Sequence, residues 1–145
     1  MEINNRKVNY DYNITDTYES GIVLTGTEIK SIKNGKANLK DSYAIVKNNE
    51  VLLLNMHISP YEQGNIFNHL ETRTRKLLLH KKEIGKINNK INVEGYTLVP
   101  IKLYFKRNYA KILLGIGKGK KEYDKRESIK EHDIEREMKK QNKWL

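Results

Sequence analysis

TLVPIKLYFKRNYAKILLGI, Thr97–Ile116, is the stretch that decides the fold. Val99, Ile101, Leu103 and Phe105 recur at every second position, and after Arg107-Asn108 so do Ala110, Ile112, Leu114 and Ile116. A period of two marks a half-buried strand. Two such runs joined by two residues, one of them an asparagine that tolerates positive φ, predict a β-hairpin. Pro100 has no amide hydrogen to give a ladder, so it marks an edge or a bulge.

Outward from this hairpin the pattern repeats. SYAIVKNNEVLLL (Ser42–Leu54) predicts a second hairpin turning at Asn48-Asn49. Val8, Tyr10, Tyr12 and Ile14 predict a strand over 8–14, and IVLT another over 22–25. Thr27 as N-cap, Ile29 and Ile32 three apart, and Gly35 at the stop position predict a short helix. Residues 59–72 carry Pro60 and Gly64 and predict a loop. Over 73–91, Leu77, His80, Ile84, Ile87 and Ile91 sit three or four apart, so most of the segment predicts helix; its leading RKLLL, Arg75–Leu79, suits a strand equally well. The sum is a mainly β domain of about six antiparallel strands with two helices. Short hairpinned strands in so small a body favour a closed barrel, which leaves few free edges.

Gly115, Gly117 and Gly119 interrupt the last strand's pattern and suggest a boundary. Residues 1–117 form the expected body. Residues 118–145 form a basic, flexible tail with few apolar residues, expected to be disordered when free and able to become helical against a charged surface.

Charge narrows the function. The chain has 145 residues and a formal net charge of +10. The tail holds 10 basic and 7 acidic residues, net +3, which leaves the body at +7. A polyanion is the partner this favours, RNA before a membrane surface. Arg6-Lys7, the trio Arg73, Arg75 and Lys76, the helix-spaced Lys82, Lys86 and Lys90, and Lys102, Lys106, Arg107 and Lys111 form four basic clusters. Nine tyrosines, Tyr10, Tyr12, Tyr43 and Tyr104 among them, suit either base stacking or strands with a wet hydroxyl. There is no cysteine, which excludes disulfides and thiolate zinc sites. His57, His69, His80 and His132 fall in no metal-ligand or nucleophile spacing, so no catalytic residue, metal or cofactor is expected. The N-terminus has no apolar leader and no run approaches a membrane span, which makes the cytoplasm the expected location. A generic basic barrel that binds many RNAs, and a small nuclease, are the competing readings.

Six collinear segments then point to one family. NRKVNYDYNI, ESGIVLTGTEIKSIKNGKANLKDSY, NMHISPYEQGN, RTRKLLLHKKEI, GYTLVPIKLYF and GKGKKEYDKR together resemble small protein B, the SsrA-binding proteins of bacteria. The resemblance covers about Asn5 to Arg126 and is looser beyond. It implies an oligonucleotide-binding-like antiparallel β-barrel with flanking helices and an unstructured C-terminal tail. It implies binding to the tRNA-like domain of transfer-messenger RNA (tmRNA). It further implies delivery of that RNA, with elongation factor Tu and GTP held through the RNA, to ribosomes stalled on messages without a stop codon. The protein would act as a monomer and without catalysis.

Carried over by residue, the resemblance assigns RNA contact to Asn5, Arg6, Lys7, Glu19 and Leu78. The basic trio Arg73, Arg75 and Lys76 joins them on charge. It assigns action on the ribosome's decoding centre and mRNA path to Asp124, Lys125 and Arg126, preceded by Lys118, Lys120, Lys121 and Tyr123. By character alone Leu78 would be a core residue and Glu19 a surface charge at a strand end. Tyr10 stands where many members have His, and Leu70-Glu71 replaces their Asp-Pro.

Overall fold

The structure is a computed structural model and describes residues 1–62 and 68–121. The two expected hairpins are its frame. β4 (Tyr43–Lys47) and β5 (Glu50–Leu54) turn through Asn48 and Asn49, at φ 52° and 60°. β8 (Thr97–Lys106) and β9 (Tyr109–Gly119) turn through Arg107 and Asn108, at φ 52° and 68°. Positive φ at both central residues is the turn whose twist matches that of paired strands. The β8–β9 register slips between Pro100 and Lys102, which is the bulge the proline called for.

The remaining elements are β1 (Glu2–Asn4), α1 (Val8–Asp11), β2 (Tyr12–Ile22), α2 (Gly26–Lys33), β3 (Ala37–Asn38), β6 (His57–Ile58), β7 (Arg75–Leu78) and α3 (Lys81–Asn92). β8, β4, β5, β7, β2 and β9 pair in that order, and β9 pairs back onto β8. The ring therefore closes on six antiparallel strands. Its narrowest seam is Ala44 opposite Leu98, between β4 and β8. β1 lies along β8 beyond that seam, and β3 pairs with β6 as a separate ribbon. Val51, Leu53, Leu77, Leu98, Leu103, Ile112, Leu114 and Ile116 fill the core, joined by Ile32 of α2 and Ile87 of α3.

Several expectations are corrected. Val8–Asp11 is one helical turn, not the start of a strand. The amides of Tyr10 and Asp11 both donate to the Lys7 carbonyl, and Val8 is buried. The alternation at Tyr12 and Ile14 belongs to the long β2, which ends at Ile22. The strand expected over 22–25 is absent, because Thr25 caps α2. Its hydroxyl accepts from the Glu28 amide at 3.3 Å while the Glu28 carboxylate accepts from the Thr25 amide at 2.9 Å. This reciprocal pair takes two amides that the first turn would leave unsatisfied, so Thr25 outcompetes Thr27. RKLLL takes the strand alternative as β7, and the helix starts only after His80. The short β1, β3 and β6 carry too few residues to show a period.

The late glycines have a different use from the one expected. β9 runs through Gly115 and Gly117 to Gly119. A Cβ on Gly117 would stand 2.3 Å from the Asn13 carbonyl oxygen, and one on Gly115 would stand 2.8 Å from Cδ1 of Ile101. This is where β2 slips register between Ile14 and Asp16. The glycines let two backbones close up at a bulged corner of the barrel. Pairing therefore continues two residues past Gly117. The expected tail from residue 122 onward, including Tyr123, Asp124, Lys125 and Arg126, lies outside the described residues.

Candidate nucleic-acid interface

Strand register assembles one outer face from residues scattered along the chain. Leu78 of β7 stands opposite Gly21 of β2, Gly21 opposite Lys111 of β9, Lys111 opposite Tyr104 of β8, and Tyr104 opposite Glu2 of β1. Residues directly opposite one another point to the same side of a sheet. The next row inward is Ser20, Ile112, Leu103 and Ile3, and its first three members are buried. One further step returns to the outside with Glu19, Leu113, Lys102 and Asn4. So Glu19 and Leu78, 59 positions apart in sequence (78 − 19), share one surface.

Leu78 is 51 % exposed, which removes the core reading. The alternation of β7 explains it: Arg75 and Leu77 point inward, Lys76 and Leu78 outward.

Glu19 is the electrostatic centre of the face. The Tyr104 hydroxyl donates to its Oε2 at 2.5 Å, and the Lys106 ammonium lies 3.6 Å from Oε1. That hydrogen bond, helped by Lys106 and Lys111 against partial burial, holds the carboxyl below its usual range. Partial burial, and then the bond to Glu19, push the Tyr104 phenol up to about 12. Lys102 adds an ammonium 5.4 Å above the Tyr104 ring and an ion pair with Glu2 at 3.2 Å. Lysines flank a fixed acceptor here, and a leucine marks one end.

The trio Arg73, Arg75 and Lys76 is split three ways. Lys76 is exposed and pairs with Glu50 at 3.1 Å. Arg75 has no exposed surface. Its Nε donates to Glu28 Oε2 at 2.5 Å, and its terminal nitrogens donate to the carbonyls of Met56 at 2.7 Å and Glu71 at 3.2 Å. Arg73, one third exposed, donates to Glu28 Oε1 at 2.5 Å and to the Val23 carbonyl at 3.3 Å. Burial pushes the Glu28 carboxyl up, but bonds from Arg73, the Thr25 amide and Arg75 outweigh it and hold the group below its usual value. Burial pulls the Arg75 guanidinium down, against the support of Glu28. The triad ties the start of α2 to β7.

The N-terminal residues lie in a second place. Asn5 is half-buried. Its amide donates to the Ile101 carbonyl at 2.8 Å and its side chain to the Pro100 carbonyl at 2.9 Å, beside the β8 bulge. It anchors the exposed Arg6 and Lys7 beside a groove of about 1170 Å³ that Tyr10, Lys40 and Tyr43 also line. At the end of β9 the Lys118 ammonium sits 4.9 Å from the Tyr96 ring, which Lys90 of α3 also faces at 5.8 Å. Lys90 is in turn paired with Asp16. The Lys120 amide donates to the Asp11 carbonyl at 2.8 Å, and Lys121 ends the described residues.

Tyr104, Lys106 and Lys111 were legible only as a tyrosine and part of a basic cluster. Their link to Glu19 comes from register, which no local pattern encodes.

A closed six-stranded antiparallel barrel with this polar outer face belongs to the class of small basic barrels of the oligonucleotide-binding kind. Residues 2–144 match the family model described as SmpB protein. The chain belongs to that family. It is 61 % identical over 134 residues to the SsrA-binding protein of Bacillus pumilus (strain SAFR-032), covering 92 % of this chain and 86 % of that one. It is 60 % identical over 134 residues to the SsrA-binding protein of Staphylococcus aureus (strain Newman), covering 92 % and 87 %. Among solved structures it resembles a chain described under "tmRNA-SmpB: a journey to the center of the bacterial ribosome". That likeness has a TM-score of 0.70 and 44 % identity, and covers 88 % of this chain and 94 % of that one.

Proposed function

We propose that this protein is a tmRNA-binding adaptor for ribosome rescue. It grips the tRNA-like domain of tmRNA with the barrel and carries it to ribosomes stalled on messages without a stop codon. Elongation factor Tu with GTP joins through the RNA. The protein works as a cytoplasmic monomer and catalyses nothing. Arg6, Lys7, Glu19, Lys76 and Leu78 contact the RNA, with Arg73 at the margin. Asn5 and Arg75 serve those contacts from within the fold. Lys118, Lys120, Lys121, Tyr123, Asp124, Lys125 and Arg126 act on the ribosome, in the vacant mRNA path.

The observation that carries this reading is the single outer face that unites Glu19, Leu78 and Lys111. Folded RNA is recognised through shape, phosphates and the edges of unpaired bases. A carboxylate among lysines suits base amino groups, where a purely cationic face would suit any polyanion. Family membership directs the choice of RNA.

The test is to recover the protein from cells at moderate salt and sequence the RNA bound to it. A dominant tmRNA supports the adaptor. Ribosomal RNA alone indicates a generic basic barrel, and cleaved ends a nuclease. A companion truncation after Lys121 keeps all of β9. It is expected to leave tmRNA affinity within a few-fold of the full chain and to abolish tagging of stalled products.

A further inference from the structure

We propose that Tyr104 is a positioning residue for RNA recognition: its hydroxyl fixes one oxygen of Glu19 so that the other is presented to an amino group of an unpaired base. This rests on the tmRNA-binding reading above and names a residue and a ligand group for it.

Glu19 and Tyr104 lie on β2 and β8, with β9 between them. Tyr104 reaches across β9 and donates to Oε2 at 2.5 Å. Its ring is itself held, half-buried beneath the Lys102 ammonium at 5.4 Å. Oε1 is different. The ammonium of Lys106 is 3.6 Å away, beyond full hydrogen-bonding distance, and that lysine is 61 % exposed. Oε2 is thus held by a direct hydrogen bond, and Oε1 only by a long ion pair with an exposed lysine, which a ligand donor can join or displace. A glutamate on an exposed strand would otherwise sample several rotamers, so holding it removes ordering entropy from the binding step.

The chemistry then selects the ligand. An ionised carboxylate only accepts, so it repels phosphate and needs a donor. The donors RNA offers at a base edge are exocyclic amino and ring imino groups, which are accessible where bases are unpaired. Lys102, Lys106 and Lys111 stand around the acceptor to take the flanking phosphates. Tyr104 keeps its proton throughout neutral pH, so it remains the donor and Glu19 the acceptor.

The experiment is a double-mutant cycle. Dissociation constants for the tRNA-like domain of tmRNA are measured for the wild type, Tyr104→Phe, Glu19→Ala and the double variant, with unassociated tRNA as the competitor. Thermal midpoints are recorded for each. Tyr104→Phe is expected to fold normally and to weaken binding roughly tenfold, the scale of one net hydrogen bond. The double variant is expected to bind no more weakly than Glu19→Ala alone, because the tyrosine acts through the glutamate. The acid limb of the affinity profile should move to higher pH in Tyr104→Phe, since Glu19 loses its main support. Lys106 of β8 and Lys111 of β9, the other charges facing Glu19, are left in place. A purely structural tyrosine would move neither the cycle nor the acid limb. Binding like the wild type, strictly additive losses, or failure of Tyr104→Phe to fold each overturn the inference alone. A wild-type chain with no preference for tmRNA over tRNA removes the underlying reading and the inference together.

Discussion

Two clusters in this barrel each centre on a glutamate and use it in opposite ways. On the inside, Arg75 and Glu28 are fully buried, and Arg73 closes the triad from the rim. On the outside, Glu19 stands between Tyr104 and Lys106 with 40 % of its side chain exposed. Inside, every oxygen of the carboxylate is taken, and the arginine that shares its burial donates also to two carbonyls. Outside, one oxygen takes a direct hydrogen bond from Tyr104 and the other only the longer ion pair with Lys106. Buried charges must be satisfied within the fold, because each lost partner leaves an uncompensated ion in a medium of low dielectric. Ion pairs at the surface contribute little to stability. The inner group therefore builds the molecule, and the outer group contributes little to holding it together. Arg75 and Lys76 are adjacent in sequence, and a single step of strand alternation places them in the two groups.

The comparison breaks most sharply at Arg75. Arg75→Ala leaves Oε2 of the buried Glu28 carboxylate without its partner, while Arg73 and the Thr25 amide still hold Oε1, and should lower stability by about 3–5 kcal/mol. Urea denaturation reads this directly, and a loss under about 1 kcal/mol would show that the triad is not structural. Gly117→Ala comes next. The new methyl group meets the Asn13 carbonyl, which is backbone and can move only by distorting the bulge. A loss of about 1–3 kcal/mol is expected by the same measurement. Both changes act on the folding transition.

The outer face should respond in the opposite sense. Lys111→Ala is expected to leave stability within about 0.5 kcal/mol. It should weaken tmRNA binding and lower the salt dependence of log affinity by roughly 0.7–0.9, the removal of one phosphate contact. Filter binding across a salt series measures both. An unchanged slope would take Lys111 out of the interface.

Acid separates the groups more gently. Glu28 has a folded value held below the ordinary 4.5. Its stabilisation is thus fully present above the unfolded value and is lost as pH falls through the folded one. Denaturation midpoints should hold steady from neutral pH to about pH 5 and decline below about pH 4. In Glu28→Gln that part of the decline should disappear. A decline of equal size in the variant would assign it to other carboxylates.

Much of the barrel was open to inspection in the chain itself. Both hairpins and their turns follow from alternation and from asparagine at positive φ, which are local causes. α2 follows from a nearby cap, although the competition between Thr25 and Thr27 was settled only when Glu28 closed the reciprocal pair. The strand expected at Val8 failed because three local amides found carbonyls sooner in a turn. The candidate site was legible more thinly. Glu19 and Leu78 entered through family likeness, and a run of three leucines gave no sign that the middle one faces outward. The basic trio at 73–76 looked uniform, since charge in a sequence carries no depth.

By itself, the sequence determined the β class, the hairpins, the basic balance of the body and the family. These rest on period, turn chemistry and composition, all of which act over a few residues. Only the tertiary structure decided which charges are buried, why the late glycines are needed, and that Leu78, Glu19, Lys111 and Tyr104 share one face. Each of those depends on the register between strands far apart in the chain. Register is set when the whole barrel closes around its core, because a slip of one residue would turn every side chain of a strand to the other side.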